Sequence, residues 1–409
     1  MSEVAFFTEK QKELVRMLKN NELRRINILY GSVRSGKTWI TLVLFAVWVA
    51  QFPKDKTFIM CAKTLTTLKR NCLDLLQEII GQKDFRYSLN SKIATLFGHK
   101  VYLEGANDSQ SEGKIRGMTL QGAYVDEITL VAHDFFAMLL SRLSEPGAKL
   151  FGSTNPDNPG HWLKVEYINR ASELDMYVGK FEIDDNTFLD PEYIRQIKSE
   201  YTGVFYDRFI RGEFAAGTGL IYPMYEEAVL APPEGTPAAY VLSCDYGTQN
   251  AFAALLWGSY GGVWYAMREY YYSGRDQGKQ KTDEEYAQDL DAWLADVMPG
   301  GQIKTIVDPS AASFITLLRK REHRYKTIPA DNDVSNGIIE TARAMHTGKI
   351  KISPACKNWH TEVQGYVWDE KSVEDRPVKI ADHAMDAMRY AVFTMGWARK
   401  KPSYTSVFR

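Results

Sequence analysis

The chain of 409 residues is 45% hydrophobic and 25% charged, which excludes a disordered or fibrous protein and leaves room for about two or three folded domains. Its 50 basic and 51 acidic residues give a formal net charge of −1, so a general basic coat is excluded and any nucleic-acid contact rests on local patches. The 4 cysteines (Cys61, Cys72, Cys244, Cys356) have neither C-x-x-C pairing nor metal-type spacing with histidine; they read as reduced, buried thiols rather than a disulfide framework.

In chain order, residues 5–20 read as an amphipathic helix capped by Thr8. Gln11 on it has two readings, a contact to an adenine edge as in several motor ATPases or a surface glutamine. Residues 26–30 form a short apolar run fit for a buried strand. Gly31, Ser32, Val33, Arg34, Ser35, Gly36, Lys37 and Thr38 follow and spell G-x-x-x-x-G-K-T, the phosphate loop of P-loop nucleotidases. Glycines at both ends let backbone N–H groups turn toward phosphate oxygens, and the helix start beyond adds a favourable dipole. Lys37 would reach the β- and γ-phosphates of ATP, and the Thr38 hydroxyl would ligate Mg²⁺. Residues 39–50 supply the helix that such a loop requires. They are also the longest apolar run, too short to span a bilayer. Residues 1–4 lack the basic and apolar pattern of a secretory leader.

Residues 57–62 are a second core strand and 65–80 a helix, with Lys63, Lys69 and Arg70 as a basic cluster. Residues 101–105 form another strand, and the polar, glycine-flanked stretch 112–117 reads as an exposed loop. Residues 120–125 are a largely apolar strand that ends in Asp126 and Glu127. Downstream of a phosphate loop, Asp126 would hold Mg²⁺ through water and Glu127 would polarise the attacking water. Residues 148–156 form one more strand, ending in Ser153, Thr154, Asn155 and Pro156, where a γ-phosphate would be sensed or a turn simply made.

Taken together, residues 31–38, 124–127 and 153–156 resemble the ATPase half of a phage terminase large subunit. The resemblance implies an arginine inside the phosphate loop, met by Arg34, and a coupling motif, met by Ser153, Thr154 and Asn155. It implies an arginine finger acting on a neighbouring subunit, best met by Arg116. It also assigns residues 165–214 to a lid subdomain, so that 1–214 form the ATPase domain. Between 215 and 239 glycine and proline break regular structure, which places an interdomain linker there.

In residues 240–409 a strand at 240–245 ends in Asp245, a hairpin pairs 251–257 with 263–272, and a helix spans 282–297. A strand at 303–307 delivers Asp308, and a helix near the C-terminus carries Asp382, His383, Asp386, Arg389 and Tyr390. Aspartates at two strand ends and a helix start suit Mg²⁺ or Mn²⁺, with two ions about 3.5–4 Å apart for phosphodiester cleavage. Each also has a plain reading, as a strand-end turn for Asp245 and Asp308 or a helix N-cap for Asp382. This order of elements resembles a ribonuclease-H-like nuclease, and His383-x-x-Asp386-Ala-x-Arg389-Tyr390 is similar to the last motif of the terminase nuclease. The resemblance makes Asp386 a metal ligand, with Asp382 and His383 auxiliary.

The expected architecture is therefore α/β: a P-loop ATPase domain with a mainly parallel sheet and a helical lid, then a ribonuclease-H-like domain. The family resemblance implies a viral motor that drives double-stranded DNA into procapsids with ATP and cuts concatemers with a metal-dependent nuclease. It implies a small subunit, the portal and a ring of copies as partners, no membrane, and a host-cytoplasmic setting. Basic residues for DNA include Lys63, Lys69 and Arg70, and Arg319, Lys320, Arg321 and Arg324. A cellular repair helicase-nuclease, or a non-motor nucleotide switch with a partner-binding second domain, are the alternatives. The tail from Arg399 reads as a portal contact, a DNA contact or disorder.

Overall fold

A computed structural model describes residues 7–398 except 108, 249, 299, 371, 373 and 374. The tail from Arg399 lies outside the described residues. The chain divides into two units, Met1–Ser199 with Gly203–Ala216 and Glu200–Thr202 with Gly217–Arg409. Among the described residues no helix is long and apolar enough to cross a membrane.

The first unit is built on eight strands: β1 (Ile26–Gly31), β2 (Thr57–Ala62), β3 (Phe85–Ser88), β4 (Ile93–Leu96), β5 (His99–Gly105), β6 (Gly122–Asp126), β7 (Lys149–Thr154) and β8 (Met176–Phe181). They lie in the order β3-β4-β5-β2-β6-β7-β1-β8. From β5 to β8 every neighbouring pair is parallel, and β3 and β4 add an antiparallel edge. Strands covered on both faces need no polar side, which is why they read as unbroken apolar runs. Leu29, Phe58, Met60, Tyr124 and Phe151 point to one core, with Phe45 and Trp48 of helix Lys37–Val49. Ile28, Ile59, Cys61, Ala123, Val125 and Leu150 point to the other, with Phe135 and Phe136 of helix His133–Arg142. Lys37–Val49 packs against both the sheet and helix Glu9–Lys19, so it is apolar almost all round.

Several expectations change. Strands β3 and β4 are too short and too polar to stand out in the sequence. The helix expected over 65–80 is interrupted by a π-helical turn at Lys69–Leu73. The stretch 112–117 is not wholly an exposed loop, because a 3-10 turn covers Ser109–Lys114 and Ile115 is buried. Nor is 165–214 a separate helical lid throughout: β8 lies within it and pairs with β1 along six residues, Ile26↔Met176 to Gly31↔Phe181.

The second unit holds β9 (Tyr240–Asp245), β10 (Ala251–Tyr260), β11 (Val263–Ser273), β12 (Ile303–Val307), β13 (Tyr325–Pro329) and β14 (Ile350–Ile352) in the order β13-β12-β9-β10-β11-β14. Strands β9, β10 and β11 are antiparallel neighbours; β12 and β13 run parallel to β9. One face packs Leu242, Phe252 and Leu256 against Tyr286, Leu290, Phe314 and Leu318 from helices Asp283–Leu294 and Ala312–Lys320. Helix His383–Met395 rests against β9 and β10. The glycine- and proline-rich stretch 215–239 is irregular apart from a 3-10 turn at Tyr225–Ala228, yet it is no free tether. Ile221, Tyr222 and Ala228 are buried, and bridges join Leu220 to Val367 and Val229 to Ile352.

Phe45 is fully buried, its ring against those of Phe58, Tyr124 and Phe151. Phe45→Ala should destabilise the first unit by about 3–5 kcal/mol, the scale of lost transfer energy plus a cavity. Urea unfolding should show its transition moved to lower denaturant, and an unchanged midpoint would remove this cluster from the stability argument.

Candidate active sites

In the first unit, β1 leads into the phosphate loop and its helix begins at Lys37. Gly31 is obligatory: a Cβ there would lie 1.8 Å from the Phe181 carbonyl oxygen on β8. Gly36 caps the helix in the left-handed region at φ 84°. Arg34 is also left-handed at φ 58°; its carbonyl accepts from Asn186 Nδ2 at 2.7 Å. Its guanidinium is exposed and makes no ion pair among the described residues.

Ser35 Oγ donates to the Ser32 carbonyl at 2.9 Å, which tightens the loop, and Ser32 and Val33 donate their N–H groups to the carbonyls of Phe181 and Phe209. Gln11 is not a surface glutamine. It is buried in a capping box with Thr8, and its Nε2 reaches the Gly36 carbonyl at 3.4 Å.

Strand register brings the acids to this loop. Asp126 stands opposite Ser153, and Tyr30 opposite Thr154. The Lys37 ammonium donates to the Ser32 carbonyl at 3.0 Å and to Asn155 Oδ1 at 2.6 Å. Asn155 turns its N–H and its Nδ2 to Glu127, at 3.0 and 3.2 Å. Thr38 Oγ1 lies 3.3 Å from Ser153 Oγ, which donates to Asp126 Oδ1 at 3.2 Å. Asn71 Nδ2 donates to Asp126 Oδ2 at 3.0 Å. Hydroxyl and carboxylate oxygens alone make up the Thr38–Ser153–Asp126 set, the donor chemistry Mg²⁺ prefers. Burial raises the pKa of Asp126 and of Glu127, with Lys37 opposing, and burial lowers that of Lys37. Glu127 sits at φ 46°, a left-handed conformation costing about 1–2 kcal/mol for a non-glycine residue, which aims its carboxylate back at Lys37 and Asn155.

Arg116 is outside this network: it is exposed and paired with Glu112 one turn earlier. Among the basic candidates, Lys69 is paired with Asp74, and Arg321 with Glu284 and Asp291. Arg70, Arg319 and Lys320 are exposed.

In the second unit Asp245 ends β9, Asp308 follows β12, and Asp382, His383 and Asp386 belong to the start of helix His383–Met395. All four aspartates are 8% exposed. His383 Nδ1 lies 2.9 Å from Asp245 Oδ2. Arg389 donates through Nε and an Nη to Asp386 Oδ1 at 3.1 and 2.9 Å. Ser310 donates to both oxygens of Asp308, N–H at 2.9 Å and Oγ at 2.7 Å. Lys379 Nζ stands 3.0 Å from Asp382 and 3.5 Å from Asp386. Asp245 is pushed up to about 6 by burial, aided by the charges of Asp386 and Asp308 and opposed by His383. Crowded, buried carboxylates of this kind suit a hard divalent cation. Among the described residues, however, no three such groups converge closely enough to enclose an ion as they stand.

Asp382 does not cap its helix, since its side chain accepts no N–H there and pairs with Lys379 instead. The cap comes from Glu362 on helix Lys357–Gly365, whose Oε2 accepts from Ala384 N at 2.6 Å and Met385 N at 3.4 Å. Its Oε1 accepts from Tyr271 at 2.7 Å. Asn71, Glu362 and Lys379 carry no motif that would mark them in the sequence.

A phosphate loop starting a helix, with an acidic strand end in the same parallel sheet, defines a P-loop nucleotide-binding protein, here joined to a second α/β unit with a carboxylate cluster. The family described as "Terminase large subunit, T4likevirus-type, N-terminal" matches residues 28–229. The large terminase of a thermophilic bacteriophage is 37% identical over 95% of this chain and 99% of that one, at TM-score 0.89. Structures of the same phage protein with ADP and with ATP-γ-S are each 36% identical over 95% and 99%, at TM-scores 0.87 and 0.86. No curated protein matches the chain. The chain belongs to the phage large-terminase family.

Burial, against Tyr271 and the helix N–H groups, lifts Glu362 to about 7. A carboxyl raised from its unfolded value near 4.5 stabilises the fold while protonated, and that stability is lost as pH rises from about 4.5 through 7. Glu362→Gln removes the charge and keeps one acceptor oxygen for the helix N–H groups, with its NH2 turned to the Tyr271 hydroxyl, which can accept. It should match wild type at pH 4 and exceed it by roughly 1–3 kcal/mol at pH 8. Thermal unfolding of the second unit across that range checks the sign; parallel curves would show that Glu362 does not titrate there.

Proposed function

We propose that this protein is the DNA-packaging motor of a tailed phage or prophage, an ATPase that drives double-stranded DNA into procapsids and an endonuclease that cuts concatemers. The observation that carries the reading is the continuous network from Lys37 through Asn155 to Glu127, with Thr38, Ser153 and Asp126 beside it. On this reading residues 1–214 are the ATPase domain, its lid within 165–214, residues 215–239 join the domains, and 240–409 are a ribonuclease-H-like domain. The strand order of the second unit, with two strand-end aspartates side by side on β9 and β12, supports the last assignment.

The loop would wrap ATP phosphates with its N–H groups from Arg34 onward, since those of Ser32 and Val33 are taken by the Phe181 and Phe209 carbonyls. Gln11 would border the adenine, and Lys37 would leave Asn155 for the γ-phosphate. Mg²⁺, when bound beside Thr38 and Asp126, would neutralise charge on the β- and γ-phosphates. Glu127, buried and raised in pKa, would orient and deprotonate the attacking water. Asn155 touches both Lys37 and Glu127, so loss of the γ-phosphate would be felt at the base. Asp245, Asp308 and Asp386 would hold Mg²⁺ or Mn²⁺ at the nuclease site, with Asp382 and His383 as auxiliaries, and the ions would activate water for phosphodiester cleavage. Partners on this reading are duplex DNA, a small terminase subunit, the portal and a ring of copies of this chain, in the host cytoplasm.

Incubation with plasmid DNA, ATP and Mg²⁺ or Mn²⁺, following phosphate release and cleavage together, tests both activities. Lys37→Ala should abolish hydrolysis and spare Mn²⁺-dependent cutting, and Glu127→Gln should hydrolyse at least about 10²-fold slower. Wild-type turnover in either variant would sink the ATPase assignment. Conversely, Asp386→Ala and Asp245→Ala should each lose cleavage while hydrolysis persists; full cutting by both would move the nuclease site elsewhere.

Arg116, exposed and outside its own subunit's network, is proposed to act on a neighbour's pocket, where a finger contributes about 10³–10⁵ in rate. Arg116→Ala should lose the rate of the assembled ring at nearly unchanged nucleotide affinity. Mixing it with Glu127→Gln subunits should restore some turnover. A mixture no faster than its components would leave Arg34 the sole arginine for that charge.

A further inference from the structure

We infer that Asn71 is a positioning residue for the metal-site carboxylate Asp126, held in its working orientation by the exposed Arg70. The inference rests on the nucleotide-site reading above and adds a residue that no phosphate-loop or acidic-strand pattern contains. Asn71 lies on the π-helical turn Lys69–Leu73, where the Asp74 N–H returns to the Lys69 carbonyl. Such a turn inserts one residue into an otherwise regular helix and rotates the residues beyond it, a distortion found often at functional sites. Here it brings Asn71 Nδ2 to 3.0 Å from Asp126 Oδ2.

The other end of the amide is engaged too. Arg70 Nε donates to Asn71 Oδ1 at 3.3 Å. A cationic donor faces one end and a carboxylate faces the other, so only one of the two amide orientations satisfies both. Ser153 donates to Asp126 Oδ1 at 3.2 Å, so the carboxylate is gripped at both oxygens. With Asp126 only 1% exposed, no bulk water would replace a lost donor. Removing a partner that orients a metal-site ligand commonly costs about 10–100-fold in metal affinity.

The test measures how far Mg²⁺ tightens binding of a fluorescent ATP analogue to the full chain, compared with EDTA, alongside thermal unfolding and steady-state hydrolysis. Asn71→Ala should cut the Mg²⁺-dependent tightening about 10-fold, with affinity in EDTA unchanged. Arg70→Ala should give a smaller loss of about 2- to 5-fold, and adding it to Asn71→Ala should cost nothing more, because Arg70 acts through the same amide. Wild-type Mg²⁺ tightening in Asn71→Ala, or additive losses in the double variant, would overturn the inference. A lowered unfolding midpoint with equal losses in EDTA and in Mg²⁺ would overturn it in favour of a structural role. A wild-type chain that binds no nucleotide, whose Lys37→Ala variant behaves alike, would instead overturn the nucleotide-site reading itself and this inference with it.

Discussion

The first unit is organised by one buried ammonium. Lys37 is 5% exposed, and a lone charge so placed would cost several kcal/mol were it not matched. The match comes from three parts of the sequence: the Ser32 carbonyl, Asn155 after β7, and the acids Asp126 and Glu127 at the end of β6. Each must be delivered within a few tenths of an ångström, and the parallel register β6–β7–β1 does so by placing the strand ends at one edge of the sheet. This is the crevice beyond the carboxyl ends of parallel strands where open α/β sheets bind ligands. The left-handed Glu127 follows from the same need. A regular continuation of β6 would carry its carboxylate away, and the turn at φ 46° brings it back.

The second unit solves an opposite problem, an excess of negative charge at the end of its sheet. Asp245 and Asp308 leave neighbouring parallel strands, and helix His383–Met395 adds Asp386. Burial first, and then the charges of Asp386 and Asp308, raise Asp245. The chain holds them with partners of its own, the His383 imidazole on Asp245, and the cations Arg389 on Asp386 and Lys379 between Asp382 and Asp386. Arg389 is almost wholly buried, so it is a fixed part of the cluster, whereas the Lys379 side chain is 61% exposed and comes from the loop before the helix. Of these counter-charges, Lys379 is the one that a bound divalent ion would displace at least cost.

Chemistry written locally was legible in the sequence. The phosphate loop, the acidic strand end and the strand-end aspartates each pair a short apolar run with the residues it delivers, and the structure sets the first two against each other around Lys37. Residues that arrive through tertiary placement were not legible. Asn71 depends on a π-turn, which has no sequence signature. Glu362 caps a helix about twenty residues further along, and nothing at its own position marks it. Asp382 shows the reverse error: its position before the helix suggests a cap, but Lys379 takes its carboxylate. Strands β3 and β4 at one side of the sheet and β8 at the other were lost for a simpler reason, since short or half-polar strands lack the unbroken apolar run that marks a doubly covered one.

Asn155 would suit the proposed nucleotide site to a cycle rather than to static binding. Its Oδ1 takes the Lys37 ammonium, and its N–H and Nδ2 hold the Glu127 carboxylate. Its carbonyl accepts from the Thr129 hydroxyl, just beyond Glu127. Thr129 is joined in turn to Thr154 through both its N–H and its hydroxyl. A γ-phosphate that drew Lys37 away would break only the first of these contacts, because the others do not involve the ammonium. The amide would then be free to turn while its backbone stayed anchored, and Glu127 would lose or keep its Nδ2 donor accordingly. On the proposed reading one side chain would report the phosphate to Glu127 without any strand having to move. The sheet can stay rigid, and the change is confined to side chains at its edge, which fits a site whose backbone is held by two cores.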